Sequence, residues 1–280
     1  MLGTPRARDD ESAVRNEDLA EAEKKRRLER SPRPKNDRCA RRGRHRAAAA
    51  AADGTMLLVA RLAAGHHVQG GVMANVFVSE HPLVSHQLTL LRDRSTEPQL
   101  FRVLVRELSR LLFAEATRDL RLLPRRVVTP LAEHVGHRIA EAIGLVPILR
   151  AGLGMAESIL DMVPWACVWH LGLYRDEQTR QPVTYYNKLP PTPNFDLAVV
   201  VDPMLATGGS AVAAIRILKD WNVRRIKFLG LIAAPEGVAA LSRAHPDVPI
   251  HLAAVDSHLN EQCFIVPGLG DAGDRQFGTS

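Results

Sequence analysis

The chain has no run of about 18 uncharged apolar residues, the length a helix needs to cross a bilayer, so the sequence predicts no membrane span. Its three cysteines, Cys39, Cys167 and Cys263, are odd in number, widely separated and without a C-x-x-C pair. That pattern argues against a disulfide framework or a zinc cage and predicts a reducing, cytoplasmic setting. The eleven histidines are scattered, with no H-E-x-x-H or similar ligand spacing, so no protein-built metal site is expected. His81 and His86 are five residues apart, too far round a helix to share a face. No secretory core with a charged flank and cleavage site is convincing. The acids Asp9, Asp10, Glu11, Glu17, Asp18, Glu21 and Glu23 argue against a mitochondrial presequence.

Charge is also missing from most of the chain. The net charge of +6 and pI near 9.6 suggest a nucleic-acid binder until the charges are located. Residues 1–46 hold 15 Lys/Arg against 9 Asp/Glu, whereas residues 47–280 hold 22 of each. The basic character belongs to a tail, and the neutral remainder offers no electrostatic footprint for nucleic acid. Residues 1–72 begin with a tail rich in Arg, Lys, Glu, Pro and Ser and poor in large apolar residues, whose charged run Glu17–Arg30 has no apolar face to bury, followed by the alanine run Ala47–Ala52. They are expected to be a basic, low-complexity, disordered extension, with at most a solvated helix over Glu17–Arg30. Residues 73–280 are expected to form the folded domain, with the 46% hydrophobic content of the chain ample for a core.

Within that domain, strand and helix patterns alternate. Helices are predicted over Pro82–Leu91 and from Pro98 to about Leu120, the latter with apolar Leu100, Val103, Leu104, Leu108, Leu111, Leu112 and Ala116. Arg125–Thr129 reads as a short strand, and the stretch to Ala142 is ambiguous. Ile143–Leu149, Ala166–Tyr174, Val183–Leu189, Phe195–Val201, Arg225–Ala234 and Pro249–Val255 read as strands. Met155–Met162, the segment from Ser210 to Trp221, and Pro235–Ala244 read as helices. Charged Arg175–Pro182 reads as a hairpin tip. The alternation predicts an α/β domain with a largely parallel sheet covered by helices on both faces.

The most informative segment is Val199–Ser210. Three apolar β-branched residues run into Asp202, and Pro203, Met204, Leu205 and Ala206 lead to Thr207-Gly208-Gly209-Ser210 at a helix start. Backbone N–H groups, two hydroxyls and the positive end of the helix dipole would converge on one anion. No Lys follows the glycines, so this is not the loop of nucleoside triphosphatases, and no G-x-G-x-x-G opens a dinucleotide fold. A lone monoester phosphate fits, with Asp202 at the strand end able to accept hydrogen bonds from sugar hydroxyls. The arrangement describes a ribose 5-phosphate site. Other strand ends deliver Arg150 and the Tyr174-Arg175 pair, forks suited to a second phosphate group.

These strings resemble the uracil phosphoribosyltransferases, a branch of the type I phosphoribosyltransferases, along nearly the whole of residues 73–280. The likeness is carried by His81-Pro82-Leu83-Val84, Val146–Met155, Tyr174-Arg175, Asp202–Ser210, Ala233–Gly237, Ala244–Asp247 and Pro267–Arg275. It implies the fold of that family, with a β-hairpin arm and a C-terminal hood. It also implies transfer of the phosphoribosyl group of 5-phosphoribosyl 1-pyrophosphate (PRPP) to uracil N1, giving UMP. By the same resemblance, Asp202 through Ser210 would hold the ribose 5-phosphate, and Arg150 and Arg175 would contact PRPP at its pyrophosphate end. Ile265 and Gly270-Asp271-Ala272 would read uracil largely through backbone groups, with Asp271 also near PRPP. Magnesium would arrive on PRPP rather than in a protein cage. Homo-oligomers and activation by GTP occur in the family, and no residue here derives either. Two readings compete: the same PRPP loop serving a purine or orotate, and a catalytically silent relative that contacts RNA through its tail. The family usually has Gly-Tyr where this chain has Cys263-Phe264, which matters if that position needs positive φ.

Overall fold

The structure is a computed structural model and describes residues 75–175, 182–187 and 192–279. The expectations for residues 1–72 and for the charged tip after Arg175 fall outside the described residues. In chain order, the first half contains β1 (Val76–Val78), α1 (Pro82–Arg92), α2 (Pro98–Ala116), β2 (Leu122–Val128), β3 (Glu133–Ile139), β4 (Ile143–Pro147), α3 (Leu153–Met162) and β5 (Cys167–Val168). There follow β6 (Leu171–Arg175), β7 (Pro182–Asn187), β8 (Leu197–Val201), β9 (Met204–Leu205), α4 (Gly209–Asp220) and β10 (Arg225–Ala233). The chain ends with α5 (Pro235–Ala244), β11 (Ile250–Val255), β12 (His258–Leu259), β13 (Ile265–Val266) and α6 (Ala272–Phe277).

Seven strands form one sheet in the order β1-β11-β10-β8-β4-β5, with β9 pairing beside β10. Every pairing in it is parallel. Strand β8 sits centrally and is buried throughout, as its Leu-Ala-Val-Val-Val run requires. Its period of two sends Leu197, Val199 and Val201 to one face and Ala198 and Val200 to the other. On the first face they meet Val84, Phe101, Leu104, Leu108, Leu112, Met155 and Ile159 from α1, α2 and α3. On the second they meet Ala214, Ile215, Leu218, Val238 and Leu241 from α4 and α5. Two covered faces explain why the central strands read as unbroken apolar runs rather than alternating ones.

Helix boundaries follow local chemistry. Pro82 opens α1, and the ring Nδ1 of His81 accepts the Leu83 backbone N–H at 3.1 Å, so this histidine is a cap. In α2 the buried stripe is Phe101, Leu104, Val105, Leu108 and Leu112. Leu100 and Val103, expected on that stripe, face outward at 47% and 52% exposure, because Phe101 and Val105 take the sheet-facing positions. The helix stops at Ala116, short of the expected Leu120.

Among the described residues three antiparallel hairpins stand outside the sheet. The strand expected at Arg125–Thr129 is β2, which begins earlier at Leu122, and the ambiguous stretch after it holds β3, the two paired from Leu122↔Ile139 to Val128↔Glu133. Every residue of β2 is exposed. The second hairpin, β6–β7, matches the expected arm around the charged tip. The expected single strand 166–174 is instead β5 and β6, because the chain leaves the parallel sheet after Val168 to enter this hairpin. The third, β12–β13, leads into α6 and forms the C-terminal hood.

Candidate functional site

The phosphate-loop reading depends on what happens at the carboxyl end of β8. The N–H of Asp202 still donates to Leu229 O at 3.2 Å, and the chain then turns through Pro203 into β9, which pairs with Ile232 and Ala233 of β10. Gly208, the residue before α4, adopts the left-handed conformation at φ +79, where a side chain would be strained. A Cβ there would also come within 2.9 Å of Gly237 O. Among the described residues no side chain caps the start of α4. Its first N–H groups and the positive end of its dipole therefore face outward beside exposed Gly209 and Ser210. Thr207 is half-buried next to them. The local order predicted from sequence, strand, acid, turn and helix, is the order observed.

Asp202 keeps a narrow opening to solvent but is surrounded by protein. Burial pushes its carboxyl up from 3.8 to about 7. A backbone hydrogen bond from Met204 N, long at 3.4 Å, opposes the rise, and the nearby negative charge of Asp271 adds to it. A carboxyl half-ionised near neutrality at a strand end is the kind of group that functional sites collect.

Arg150 lies in the turn after β4, beyond a cis Leu149–Arg150 peptide. Because β4 pairs with β8, this turn is next to the Asp202 loop; Ile148 N donates to Val201 O at 3.0 Å. The Arg150 guanidinium is 63% exposed, stands 3.7 Å from an Asp274 carboxylate oxygen and lies 5.9 Å from the centre of the Phe277 ring. Gln276 Nε2 donates to Ala151 O at 2.9 Å, so α6 is docked on the same turn. The Asp202 loop, the Arg150 turn and the hood thus share one end of the sheet. Arg175 ends β6, with its side chain outside the described part.

In the hood, Ile265 is buried and Ala272 fully so, whereas Gly270 and Asp271 are exposed at its edge. The Asp271 carboxylate accepts Asp274 N at 2.9 Å and caps α6. Cys263 occupies the position where the resemblance has Gly, and its φ is +68. The backbone therefore takes the left-handed turn despite the Cβ, held by Cys263 N donating to Asn260 O and by Asn260 Oδ1 accepting Phe264 N, both at 2.9 Å.

Sequence reasoning missed several residues that shape this end of the sheet. Arg92 and Asp256 form a two-bond ion pair at 2.7 and 2.6 Å. The Arg275 side chain lies 4.4 Å from the centre of the Phe101 ring, and its Nη1 donates to Leu91 O and Leu269 O. Gly237 packs on the loop carbonyls. Arg275 and Gly237 lie within Pro267–Arg275 and Ala233–Gly237, segments that carry the resemblance, though neither has a role implied by it. Arg92 and Asp256 are 164 residues apart, and neither carries a local signal.

With this geometry in view, the comparisons are decisive. The family model for uracil phosphoribosyltransferase matches residues 78–279. This chain belongs to the uracil phosphoribosyltransferase family. It is 70% identical over 207 residues to a uracil phosphoribosyltransferase of Roseiflexus castenholzii, covering 74% of this chain and 100% of the relative. It is 56% identical over 208 residues to one from Halalkalibacterium halodurans, again covering 74% of this chain and 100% of the relative. Among solved structures it is similar to the AQ2163 protein of Aquifex aeolicus, at 36% identity and TM-score 0.69, covering 73% of this chain and 99% of that one. The parallel sheet between two helical layers is the type I phosphoribosyltransferase fold expected from the sequence.

Proposed function

We propose that the chain transfers the 5-phosphoribosyl group of PRPP to uracil N1, releasing pyrophosphate and forming UMP. Membership of the family carries the choice of reaction. The observation that supports the site is the meeting of the uncapped α4 start, Asp202, the Arg150 turn and the hood at one end of the sheet. In this reading the N–H groups from Thr207 to Ser210 hold the 5′-phosphate, and Pro203, Met204, Leu205 and Ala206 shape the turn that presents them. Asp202 accepts hydrogen bonds from the ribose hydroxyls.

PRPP carries its own leaving group, so the protein supplies no nucleophile. Uracil N1 attacks C1′, the bond from C1′ to the pyrophosphate oxygen breaks, and the electron pair leaves with pyrophosphate. The N1 proton goes to solvent or to the departing phosphate. Positive charge grows at C1′ while negative charge grows on the leaving group. Ionised Asp202 offsets the first, and Arg150 with Arg175 offsets the second. Ile265, Gly270, Asp271 and Ala272 position the base from the hood, with Asp271 also next to PRPP.

Magnesium fits as part of the substrate. Among the described residues no three His, Cys, Asp or Glu side chains converge to hold an ion. An ion that keeps its waters and binds through phosphates suits such a site, and on PRPP it would neutralise the pyrophosphate charge. The segment after Arg175 would exclude water from activated PRPP. We assign the working enzyme to the cytoplasm on its cysteine usage, and to a homo-oligomer, which the solvated β2–β3 hairpin supports. Residues 1–72 are an extension without a part in the reaction, because relatives covered end to end match only 74% of this chain. No helix among the described residues is long and apolar enough to cross a membrane.

The test is UMP formation from labelled uracil with PRPP and Mg²⁺, run beside adenine, hypoxanthine and orotate. Turnover confined to uracil is expected, and equal turnover of another base overturns the reading. GTP added to the same assay tests activation, which rests on the resemblance alone.

A further inference from the structure

We propose that the Arg92–Asp256 ion pair positions the backbone that reads uracil, and so sets affinity for the base separately from affinity for PRPP. The proposal rests on the assignment of Ile265 and Gly270–Ala272 to the base. A base read by backbone groups gains nothing from a particular side chain and depends wholly on where the peptide planes are held. The structure shows how the peptides just before Gly270 are held. Arg92, the last residue of α1, donates from Nη1 and Nη2 to the two carboxylate oxygens of Asp256. The same Arg92 Nη1 donates to Gly268 O at 2.8 Å, and the same Asp256 Oδ2 accepts Gly268 N at 2.9 Å. One ion pair therefore grips Gly268 through both its N–H and its C=O.

The next carbonyl, Leu269 O, accepts Arg275 Nη1 at 2.9 Å. Both polar groups of Gly268 and the Leu269 carbonyl are thus bound by arginines and an aspartate, and Gly270 follows them at the exposed edge. The Asp256 side chain is 4% exposed and Arg92 22%, so water competes poorly for the pair. Asp256 is itself fixed, because its N–H donates to Ala233 O at 2.7 Å, at the end of β10. That strand also pairs with β9 of the phosphate loop. Asp256 thereby refers the base-reading backbone to the same frame that holds the ribose phosphate, while touching neither ligand. Arg92 and Asp256 are positioning residues.

The fork geometry is what Lys lacks: a single ammonium cannot serve both Asp256 oxygens and Gly268 O in this arrangement. In Arg92→Lys, the KM for uracil rises roughly ten- to a hundredfold, the range expected when a reacting group is misplaced by a fraction of an ångström to an ångström. The KM for PRPP and the thermal shift produced by PRPP stay at wild-type values. Asp256→Asn gives the same split, and the double variant is no worse than the poorer single one, because both act through one clamp. If both KM values rise together, or the uracil KM does not move in folded Arg92→Lys, the proposal is overturned. Should Asp256→Asn fail to fold, Arg92→Lys decides alone. Wild-type protein that turns over no uracil refutes the assigned reaction instead, a result separate from these.

Discussion

Gly237 of α5 lies directly against Ala206 of the phosphate loop: a Cβ on Gly237 would stand 2.4 Å from the Ala206 carbonyl oxygen and equally close to that of Leu205. The loop is therefore supported from beneath by a second helix, at a contact only Gly permits. Gly237→Ala must push the loop or the helix, at a cost of about 1–3 kcal/mol by overpacking. The loop lacks the repeating hydrogen-bond ladder that stiffens a helix and yields first. The expected result is a KM for PRPP raised roughly tenfold with the uracil KM little changed. Initial-rate kinetics and thermal unfolding check both, and an unchanged PRPP KM would show that the loop tolerates the methyl group.

Asp202 carries the pH dependence. Burial raises its carboxyl to about 7, so near neutrality only about half of the free enzyme holds the charge that the ribose hydroxyls and the C1′ cation require. The kcat/KM for PRPP should rise with pH through that value. PRPP titrates in the same region, so the comparison that matters is Asp202→Asn, which loses roughly a hundredfold or more and keeps only the limb that belongs to the substrate. Identical profiles in the two proteins would remove Asp202 from the mechanism. Stability moves the other way. Because the folded protein holds this proton more tightly than the unfolded chain, the favourable contribution is full below 3.8 and fades as pH rises through about 7.

The phosphate loop was legible because its parts are contiguous: β8, Asp202, the Thr-Gly-Gly-Ser turn and α4 follow one another in sequence, and each has a local signature. The parallel sheet was legible for the same reason, since Leu197–Val201 is too short and too apolar for anything but a doubly covered strand. Of the arm at Leu122–Ile139 only a strand at Arg125–Thr129 was legible; its partner Glu133–Ile139 was not, because it is solvated and mixes Glu, His and Arg with Val and Ile, which leaves no clean alternation. Arg92 and Asp256 were invisible because an ion pair across 164 residues has no local pattern. The outward turn of Leu100 and Val103 shows the remaining limit: spacing marks an apolar stripe, while packing against the sheet selects its centre.

Cys263 is an L-residue doing a glycine's work at φ +68. The left-handed conformation costs a non-glycine residue about 1 kcal/mol, and Gly returns part of that as unfolded-chain entropy. Cys263→Gly should therefore raise stability by no more than about 1 kcal/mol, or about 2–4 °C in Tm. Uracil KM should be unchanged, since the turn geometry is already the one Gly would adopt. A lower Tm in a thermal scan would mean that contacts of the side chain outweigh the backbone cost.

Residues 1–72 should be dispensable for catalysis. The family match spans residues 78–279, and the Roseiflexus castenholzii relative, covered end to end, accounts for 74% of this chain. A protein beginning at Met73 should keep the kinetic constants and the unfolding midpoint of the full chain. Lost activity or lowered stability in that truncation would assign the segment a role in the folded enzyme.

The β2–β3 hairpin should be where copies of the chain meet. Alternation places Leu122, Pro124, Arg126 and Val128 on one face, where they pair with Ile139, His137, Val135 and Glu133 of β3. Val128 is 82% exposed and Leu131 at the turn is 97% exposed. A two-stranded hairpin is marginal in water without a surface to cover it, and its exposed Leu122, Val128, Leu131 and Val135, interspersed with Arg126 and Glu133, suit an association site. Leu131→Glu with Val128→Glu would place two charges in that interface, where desolvating them without partners is unfavourable. Light scattering should find an oligomer for the parent and a monomer for the double variant. The monomer should retain its far-UV spectrum, because the hairpin lies outside the two buried clusters. Equal masses for the two proteins would show that the arm takes no part in assembly.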